Sequence, residues 1–225
     1  MRVAFYAPLN APDGDKPSGE RLIARMLTRA LEDAGHDVTL ASRFRGFDAD
    51  GDGTRIARLA AVGQLLAERL VGRYRTAAET DRPRLWLTYH LYHKAPDWLG
   101  PAVARALSIP YAVVEASFAT KQANGPWAIG HRGVATALKA ADLVIGLNSR
   151  DREGVLPRLQ GPDRYLQLAP FIDCAPFARA ALDRARHRAV LAARLGTRPR
   201  TPILLAVGMM RPGAKLASYR LLARA

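Results

Sequence analysis

The stretch that decides the fold is RVAFYA at residues 2–7, together with the helix and strand patterns that follow it. The run is apolar and rich in β-prone residues, and Pro8 ends it, so it predicts a buried strand. Residues 22–34 then carry apolar side chains three and four positions apart, which is typical of one face of a helix, and VTLA at residues 38–41 returns to a strand pattern. Strand, helix and strand within about forty residues predict a βαβ unit with parallel strands.

The loop at residues 8–17 is the first candidate binding segment. Ligands of open parallel sheets bind beyond the carboxyl ends of the strands, and Ser18 and Gly19 open a helix whose N-terminus suits an anion. Neither Gly-x-Gly-x-x-Gly nor Gly-x-x-x-x-Gly-Lys-Ser/Thr occurs here, which disfavours an NAD site and a P-loop. The competing interpretation is that Gly14 and Gly19 only let the chain turn and pack.

The composition indicates a soluble, cytoplasmic chain with a substantial core. Of the 225 residues, 49% are hydrophobic. No apolar run approaches the ~20 residues that a membrane span needs, and Met1 leads into the first strand without a signal peptide. The single cysteine, Cys174, excludes a disulfide framework and a cysteine-rich metal site.

The formal net charge of +14 suggests a polyanionic partner, such as nucleic acid, an anionic membrane or a charged small molecule. An aromatic content of 7%, with no interleaving of aromatic and basic residues, disfavours nucleic acid. Residues 54–78 form a basic amphipathic pattern that would also allow peripheral contact with the inner face of an anionic membrane. Arg21, Arg25 and Arg29 lie opposite the apolar face of the first helix, and we interpret them as solvated surface.

An alternation of aspartates at Asp48, Asp50 and Asp52 is similar to a calcium-binding loop. A calcium-binding hand requires a glutamate at its twelfth position, where this chain has Leu59. The pattern therefore predicts a turn-rich loop that does not bind calcium.

Polar residues follow two further predicted strands. The strand LWLTY leads directly into His90, His93 and Lys94, and the next strand, YAVV, leads into Glu115. Because parallel strands deliver such residues to one edge of the sheet, we expect His90 and His93 to lie close to Glu115. The imidazoles and Lys94 suit sugar or phosphate contacts with an acceptor substrate. A carboxylate at a strand end is a candidate general acid, general base or hydroxyl ligand.

Each of these residues has a second interpretation. Two histidines three positions apart could ligate zinc, but no third ligand lies near them in sequence, so we predict no metal site. The histidine segment would otherwise be a surface loop that caps a helix. Glu115 would otherwise pair with an arginine such as Arg132 and hold the polar connection at residues 119–133 in place.

Two more strand patterns, DLVIGL and YLQLA, complete the series. Together they predict a parallel α/β sheet with strands near residues 2, 37, 84, 110, 142 and 164. An arginine-rich helical stretch follows and ends at Leu195. PILLAVG at residues 202–208 has the pattern of a fresh strand followed by a helix. We therefore predict one domain at residues 1–195 and the beginning of a second at residues 196–225.

The order of these elements resembles the N-terminal half of a GT-B glycosyltransferase of the family 4 type. The resemblance extends over nearly the whole chain and is carried by Ser18-Gly19, Ala34-Gly35-His36-Asp37-Val38, Ala141-Asp142-Leu143-Val144-Ile145, Ser149 and Ala169-Pro170-Phe171-Ile172-Asp173. It implies a Rossmann-like, doubly wound parallel sheet on the acceptor side, then the first strand and helix of a donor domain. It also implies sugar transfer from a nucleotide-sugar to a sugar or lipid-linked acceptor, with retention at the anomeric carbon and without a cofactor or metal.

The resemblance and the local sequence together assign site residues. On the donor side, the residues expected to contact the diphosphate are Ser18, Gly19, Arg211 and Lys215. On the acceptor side, the expected contacts are His90, His93 and Lys94. Glu115 is the predicted catalytic residue.

The chain also departs from the family pattern. Phe171 stands where the family has Asn-Gly, Glu115 stands in place of the family's histidine, and the donor-motif arginine, Arg211, is displaced. The chain stops at Ala225 within a helical pattern that has no stop signal, so we expect an incomplete enzyme. The alternatives are a nucleotide-sugar epimerase of the same architecture and a non-catalytic basic module that binds anionic lipid or nucleic acid.

Overall fold

The computed structural model describes residues 1–198, 200–208, 210 and 212–224. By its internal contacts the chain divides into two compact units, Met1–Ile172 and Asp173–Ala225. This division lies before the domain boundary predicted between residues 195 and 196. The arginine-rich helical stretch therefore groups with the second unit.

The first unit is built on one parallel sheet of six strands. The strands are β1 (Arg2–Tyr6), β2 (Asp37–Ser42), β3 (Leu85–Leu91), β4 (Tyr111–Ala116), β5 (Leu143–Gly146) and β6 (Tyr165–Gln167). Their order across the sheet is β2-β1-β3-β4-β5-β6, and every neighbouring pair is parallel. This confirms the predicted parallel α/β sheet. The strand order reverses between β1 and β3, which is where open sheets of this type bind ligands.

Helices connect the strands and continue into the second unit. They are α1 (Gly19–Asp33), α2 (Gly53–Thr76), α3 (Gly100–Leu107), α4 (Ala128–Ala140), α5 (Arg152–Val155), α6 (Ala175–Leu182), α7 (Arg184–Leu195) and α8 (Ala214–Leu222). Helix α4 begins earlier than predicted, so the polar connection after β4 is shorter than the sequence suggested. Among the described helices, none combines the length and the hydrophobicity needed to cross a bilayer.

The two faces of the sheet carry separate cores because side chains alternate along each strand. In β1, Val3 and Phe5 lie on the face covered by α1, whereas Ala4 and Tyr6 lie on the face covered by α2, α3 and α4. Trp86 of β3 is fully buried in the core on the face covered by α2, α3 and α4. Each large apolar side chain buried in this way stabilises the fold by about 1.5–3 kcal/mol. The sheet is thus held from both faces, as a doubly wound fold requires.

A buried carboxylate, Asp97, holds the connection between β3 and α3. Its Oδ1 accepts hydrogen bonds from the backbone amides of Leu99 and Gly100, at 2.8 and 2.7 Å. Its Oδ2 accepts hydrogen bonds from the hydroxyls of Thr88 and Tyr111. Burial raises the pKa of Asp97, and the four donors oppose that rise. The carboxylate thereby ties this connection to β3 and β4, the two strands that end at the candidate site.

The second unit contains α6, α7 and α8 among its described residues. The strand predicted at residues 202–208 is not formed: this segment has no helix or strand, and Leu204, Leu205 and Val207 are 92%, 83% and 86% exposed. A strand needs backbone hydrogen bonds to a neighbouring strand, and no described segment pairs with this one. The helix predicted after it is present as α8.

Candidate functional site

The ends of β3 and β4 bring two predicted site residues together. The register pairs the residues on either side of His90 with those on either side of Glu115, so the two occupy matching positions. His90 Nδ1 lies 3.9 Å from Glu115 Oε2, and the two side chains are 23% and 31% exposed. An imidazole and a carboxylate therefore meet at the carboxyl edge of the sheet, within reach of a ligand.

Both residues have a left-handed backbone, with φ of 64° at His90 and 59° at Glu115. This conformation costs a residue with a side chain about 1–2 kcal/mol, and such strain concentrates at functional sites. Among the described residues other than glycine, only Ser108 also has a positive φ. Sequence reasoning missed this feature because left-handed positions are predicted from glycine or asparagine, and neither stands here. Two strained residues side by side are the main structural sign of a site.

Two carboxylates act on the hydroxyl of Tyr89, the residue before His90. Burial raises the pKa of Tyr89 most, and the negative charges of Glu115 and Glu20 raise it further. Tyr89 is therefore a hydrogen-bond donor at neutral pH. Sequence analysis missed Glu20, which lies in the first turn of α1. The available signal was its place after β1, the strand that neighbours β3.

Five rings follow one another along this edge, each meeting the next edge to face. The centroid distances are 5.7 Å for Tyr89–His90, 5.1 Å for His90–Tyr92, 5.5 Å for Tyr92–His93 and 5.6 Å for His93–Trp127. Tyr89 is buried, whereas the other four rings are half-buried. These four, His90, Tyr92, His93 and Trp127, are named the aromatic row below.

Lys94, predicted to contact the acceptor, is held by the protein itself. Its Nζ lies 4.0 Å from the centroid of the Trp127 ring and donates a hydrogen bond to the carbonyl of Ala49 at 3.1 Å. The indole Nε1 of Trp127 donates to the carbonyl of Asp48 at 3.2 Å. These contacts join the loops that follow β2, β3 and β4. A role for Lys94 in acceptor binding stays a prediction.

The aspartate-rich loop has a structural explanation. Asp48 is buried, and its Oδ1 accepts hydrogen bonds from the backbone amides of Asp50, Gly51 and Asp52 at 3.1, 2.6 and 3.2 Å. Asp52 in turn is the N-cap of α2. The alternating aspartates therefore shape a turn and start a helix. Within the part of the chain that the structure describes, no three His, Cys, Asp or Glu side chains form a group that could hold a metal ion.

The imidazoles of His93 and His131 both have lowered pKa values. Burial lowers the pKa of His93, and the positive charges of Lys94 and Lys121 lower it further, as does His131 when its imidazole is protonated. His131, in α4, packs against the ring of Phe118 at a centroid distance of 4.3 Å, and burial lowers its pKa as well. Neither imidazole carries a charge at neutral pH.

Ser18 and Gly19, predicted to contact a diphosphate, begin α1. The Oγ of Ser18 accepts a hydrogen bond from the backbone amide of Arg21 at 3.1 Å, so Ser18 is the N-cap. A Cβ placed on Gly19 would meet no atom within 4 Å, which leaves open space beside this turn. Arg21 and Arg25 are not plain solvated surface, because they donate to three carbonyl oxygens of the loop between β1 and α1. They fix that loop in place.

The remaining donor-side residues belong to the second unit. Lys215 is the second residue of α8 and is exposed. Arg211 lies outside the described residues. Contact between either residue and a donor stays a prediction.

Two pockets, of about 310 and 640 Å³, lie at the amino edge of the sheet, away from His90 and Glu115. In the first, Arg75 donates to the carbonyl of Ala106, and Arg82 donates to two carbonyls near the end of α2. These guanidinium groups connect chain segments. The candidate site is therefore the carboxyl edge, where the strained pair and the aromatic row lie.

Comparison with known proteins yields structural likeness alone. No family model matches the chain, and no curated protein matches it in sequence. The chain is similar to the crystal structure of UGT89C1 of Arabidopsis thaliana complexed with UDP, with 16% identity and a TM-score of 0.48 over 89% of this chain and 56% of that one. It is also similar to UDP-N-acetylglucosamine 2-epimerase from Rickettsia bellii, with 13% identity and a TM-score of 0.46 over 88% of this chain and 52% of that one. The chain spans about half the length of both structures.

Proposed function

We propose that the protein transfers a sugar from a nucleotide-sugar donor to a hydroxyl-bearing acceptor, with the architecture of a GT-B glycosyltransferase. The observation that carries the proposal is the pair of His90 and Glu115, two left-handed residues side by side at the carboxyl edge of the sheet. This edge lies next to the reversal of strand order, where parallel sheets bind ligands. The order of motifs from Ser18-Gly19 to Asp173 supports the same assignment.

Glu115 is the proposed catalytic residue. Its carboxylate accepts a hydrogen bond from the acceptor hydroxyl and takes the proton as the acceptor oxygen bonds to the anomeric carbon. The bond between that carbon and the diphosphate breaks, and the nucleoside diphosphate leaves. The new bond forms on the face that the diphosphate leaves, so the configuration is retained. Proton transfer to a positioned base accelerates such a step by about 10²- to 10⁴-fold.

The groups around Glu115 orient the carboxylate and the acceptor. The Nδ1 of His90 is buried, makes no hydrogen bond within the described chain and lies 3.9 Å from Glu115 Oε2, so it faces the carboxylate. Tyr89 stays protonated beside the carboxylate because its pKa is raised, so its hydroxyl donates toward negative charge. His93 and Lys94 are proposed to contact the acceptor further along the same edge.

In the first unit, Ser18 and Gly19 are proposed to contact the donor diphosphate. For Arg211 and Lys215, which belong to the second unit, a donor contact is proposed from the sequence alone. A helix N-terminus offers unpaired amides and the positive end of the helix dipole, and a cation adds a charged hydrogen bond. Loss of one such bond costs about 1.5–3 kcal/mol. Lys215→Ala should weaken nucleotide-sugar binding by this amount in calorimetry, and Arg220→Ala on the same helix should not. Unchanged affinity in Lys215→Ala would remove it from the donor site.

Peripheral contact with an anionic membrane is a separate part of the proposal. Helix α2 exposes Val62 and Leu65, by 44% and 57%, in a stripe that begins at Arg58 and ends at Arg69. Apolar side chains between arginines are typical of helices that rest on anionic bilayers. Binding to vesicles with anionic lipid, weakened by salt and by the double change Val62→Ser and Leu65→Ser, would support this contact. Equal binding to neutral vesicles would contradict it.

The central test is a transfer assay on the chain together with any sequence that its gene encodes beyond residue 225. A panel of nucleotide-sugars, with released nucleoside diphosphate as the readout, identifies the donor. In Glu115→Gln we expect transfer to slow by at least about tenfold, while the melting temperature and the donor affinity stay nearly unchanged. The matched control is Glu153→Gln, an exposed carboxylate in α5, which should transfer at the normal rate.

Three results would change the assignment. Normal transfer by Glu115→Gln would contradict its catalytic role. Loss of activity together with loss of the folded state would show that Glu115 holds the loop after β4. A converted nucleotide-sugar that forms without an acceptor would favour the epimerase alternative.

A further inference from the structure

The two faces of the sheet in the first unit are covered by helices that differ in charge. Helices α2, α3 and α4, which cover one face, together contain eight arginines and lysines and a single glutamate, and all eight cations are exposed. Helix α1, on the other face, contains three basic and three acidic residues. The excess positive charge of these four helices therefore lies on one side of the sheet, where it attracts an anionic partner.

The larger of the two pockets at the amino edge lies on this basic side, between α3 and α4, and is named the α3–α4 pocket below. Its volume is about 640 Å³. Arg105 of α3 and Lys139 of α4 line it, together with Ser108, which follows α3. A guanidinium binds two phosphate oxygens at once, an ammonium adds a point charge, and a serine hydroxyl donates a further hydrogen bond. The pocket therefore offers three kinds of donor that suit a phosphate group.

Arg105 and Lys139 are not engaged by the fold. The ordinary role of cations near the end of a helix is to bind its last carbonyl groups. Those carbonyls have other donors here: Arg75 donates to the carbonyl of Ala106 at 2.9 Å, and Gln160 donates to that of Lys139 at 3.0 Å. Among the described residues, neither the guanidinium of Arg105 nor the ammonium of Lys139 forms a hydrogen bond or an ion pair. Both positive charges are therefore available to a ligand.

The acidic residue in the lining, Asp142, is already paired. Its Oδ2 accepts a hydrogen bond from the backbone amide of Tyr111 at 2.9 Å, and its Oδ1 lies 3.5 Å from Nη1 of Arg164. The smaller pocket is less suited to an anion, because its Arg84 pairs with Glu79 at 2.9 Å and its other guanidinium groups bind carbonyls. The free positive charge is therefore in the α3–α4 pocket.

We propose that the α3–α4 pocket binds a phosphate monoester, with Arg105 and Lys139 on its oxygens and the hydroxyl of Ser108 donating to it. A phosphate monoester carries about two negative charges at neutral pH, which matches the two free cations. The group belongs to a free small molecule or to a lipid headgroup, since both present the same oxygens. The pocket lies at the opposite edge of the sheet from His90 and Glu115. It is therefore separate from the proposed transferase site and does not depend on the proposed function.

The first experiment tests a free ligand by calorimetry, with glycerol 3-phosphate as the probe and glycerol as its neutral counterpart. At an ionic strength of about 0.15 M, diffuse attraction between distant charges is largely screened. We expect the phosphate to bind and glycerol not to bind. Arg105→Gln and Lys139→Gln should each weaken binding at least about tenfold, because each removes a charged hydrogen bond. Arg132→Gln is the matched control: it removes an exposed cation of α4 outside the pocket and should leave the affinity unchanged.

The second experiment tests a lipid source. Vesicles with phosphatidic acid, whose headgroup is a phosphate monoester, are compared with vesicles of equal surface charge that contain phosphatidylglycerol, a diester. A headgroup in the pocket predicts tighter binding to phosphatidic acid and loss of this preference in the double variant Arg105→Gln and Lys139→Gln. The double change Val62→Ser and Leu65→Ser in α2 should keep the preference, because those side chains lie outside the pocket. Binding of glycerol 3-phosphate without any preference between the vesicles would identify a free ligand.

A third measurement needs no variant and covers the case in which a substituted protein does not fold. Glycerol 3-phosphate, or dihexanoyl phosphatidic acid for the lipid source, should shift the backbone amide NMR signals of Ser108 and Lys139 in the wild type and leave that of His90 in place. Binding of neither probe, an equal loss of affinity in Arg132→Gln, or shifts confined to the carboxyl edge of the sheet would overturn the inference. Absence of sugar transfer would contradict the proposed function and leave this site unaffected.

Discussion

His90 and Glu115 lie at matching positions of β3 and β4, and both have a left-handed backbone. The regular pleat is therefore interrupted at the same level in both strands, next to the carboxyl edge of the sheet. Glycine would adopt this conformation without steric cost. The chain instead keeps an imidazole and a carboxylate there, so the strain accompanies side chains that can bind or react.

This strain predicts an unusual order of stabilities at His90. Both His90→Ala and His90→Gly remove the imidazole, but only alanine retains a Cβ in the left-handed region. We expect the glycine variant to be more stable by about 0.5–1 kcal/mol in urea unfolding. At Glu68, an exposed position within α2, the order should reverse, because glycine costs a helix about 1 kcal/mol relative to alanine. Equal stability of the two His90 variants would show that the position is not strained.

The donor contact at the start of α1 can be tested with a matched pair of glycines. Gly19 and Gly72 both lie in helices, and an added Cβ meets no atom within 4 Å at either position. Both alanine variants should fold as stably as the wild type or more stably, by up to about 1 kcal/mol. Only Gly19→Ala should weaken nucleotide-sugar binding in calorimetry, since its methyl group would occupy the space proposed for the diphosphate. Equal donor affinity in the two variants would remove Gly19 from the site.

The buried carboxylate of Asp97, in the connection between β3 and α3, should contribute strongly to the stability of the fold. Asp97→Asn places an amide that donates hydrogen bonds where four donors converge, so we expect a loss of about 2–4 kcal/mol in denaturant unfolding. Asp33→Asn is the control, because its carboxylate is 73% exposed and its ion pair with Arg29 is superficial; its effect should stay within about 0.5 kcal/mol. Similar losses in the two variants would mean that the Asp97 network contributes little.

Acid should weaken the fold through the two neutral imidazoles. The pKa values of His93 and His131 are lowered by burial, so the unfolded chain binds protons more readily than the folded chain. Their contribution is therefore complete above the unfolded pKa of about 6.5 and is lost as the pH falls toward the folded values. His131→Phe should reduce the fall in melting temperature between about pH 7.5 and 5.5. The raised pKa of Asp97 affects wild type and variant alike and cancels in this comparison.

The control for that experiment is His187→Gln, at an exposed position of α7. It should keep the pH dependence of the wild type. An equally steep fall in His131→Phe would show that the imidazole of His131 does not resist protonation.

Most of the fold could be predicted because its signals are local. Each strand of the sheet is a short apolar run, and each long helix carries one apolar face. These patterns predicted the six strands and their order along the chain. Residues 202–208 show the limit of this reasoning. Their apolar run has a strand pattern, yet a strand forms only where another strand supplies hydrogen bonds, and that partner is not a property of the run itself.

The sequence by itself determined that His90, His93 and Glu115 would meet at one edge, because the carboxyl ends of parallel strands converge there. Only the tertiary structure decided which groups at that edge are free. Lys94 is engaged by Trp127 and a carbonyl from two other loops, whereas Glu20, which no motif indicated, stands without a described partner beside Tyr89. The physical reason is that a charged side chain takes whichever partner the folded loops bring within hydrogen-bond distance. Those partners lie tens of residues away in the chain.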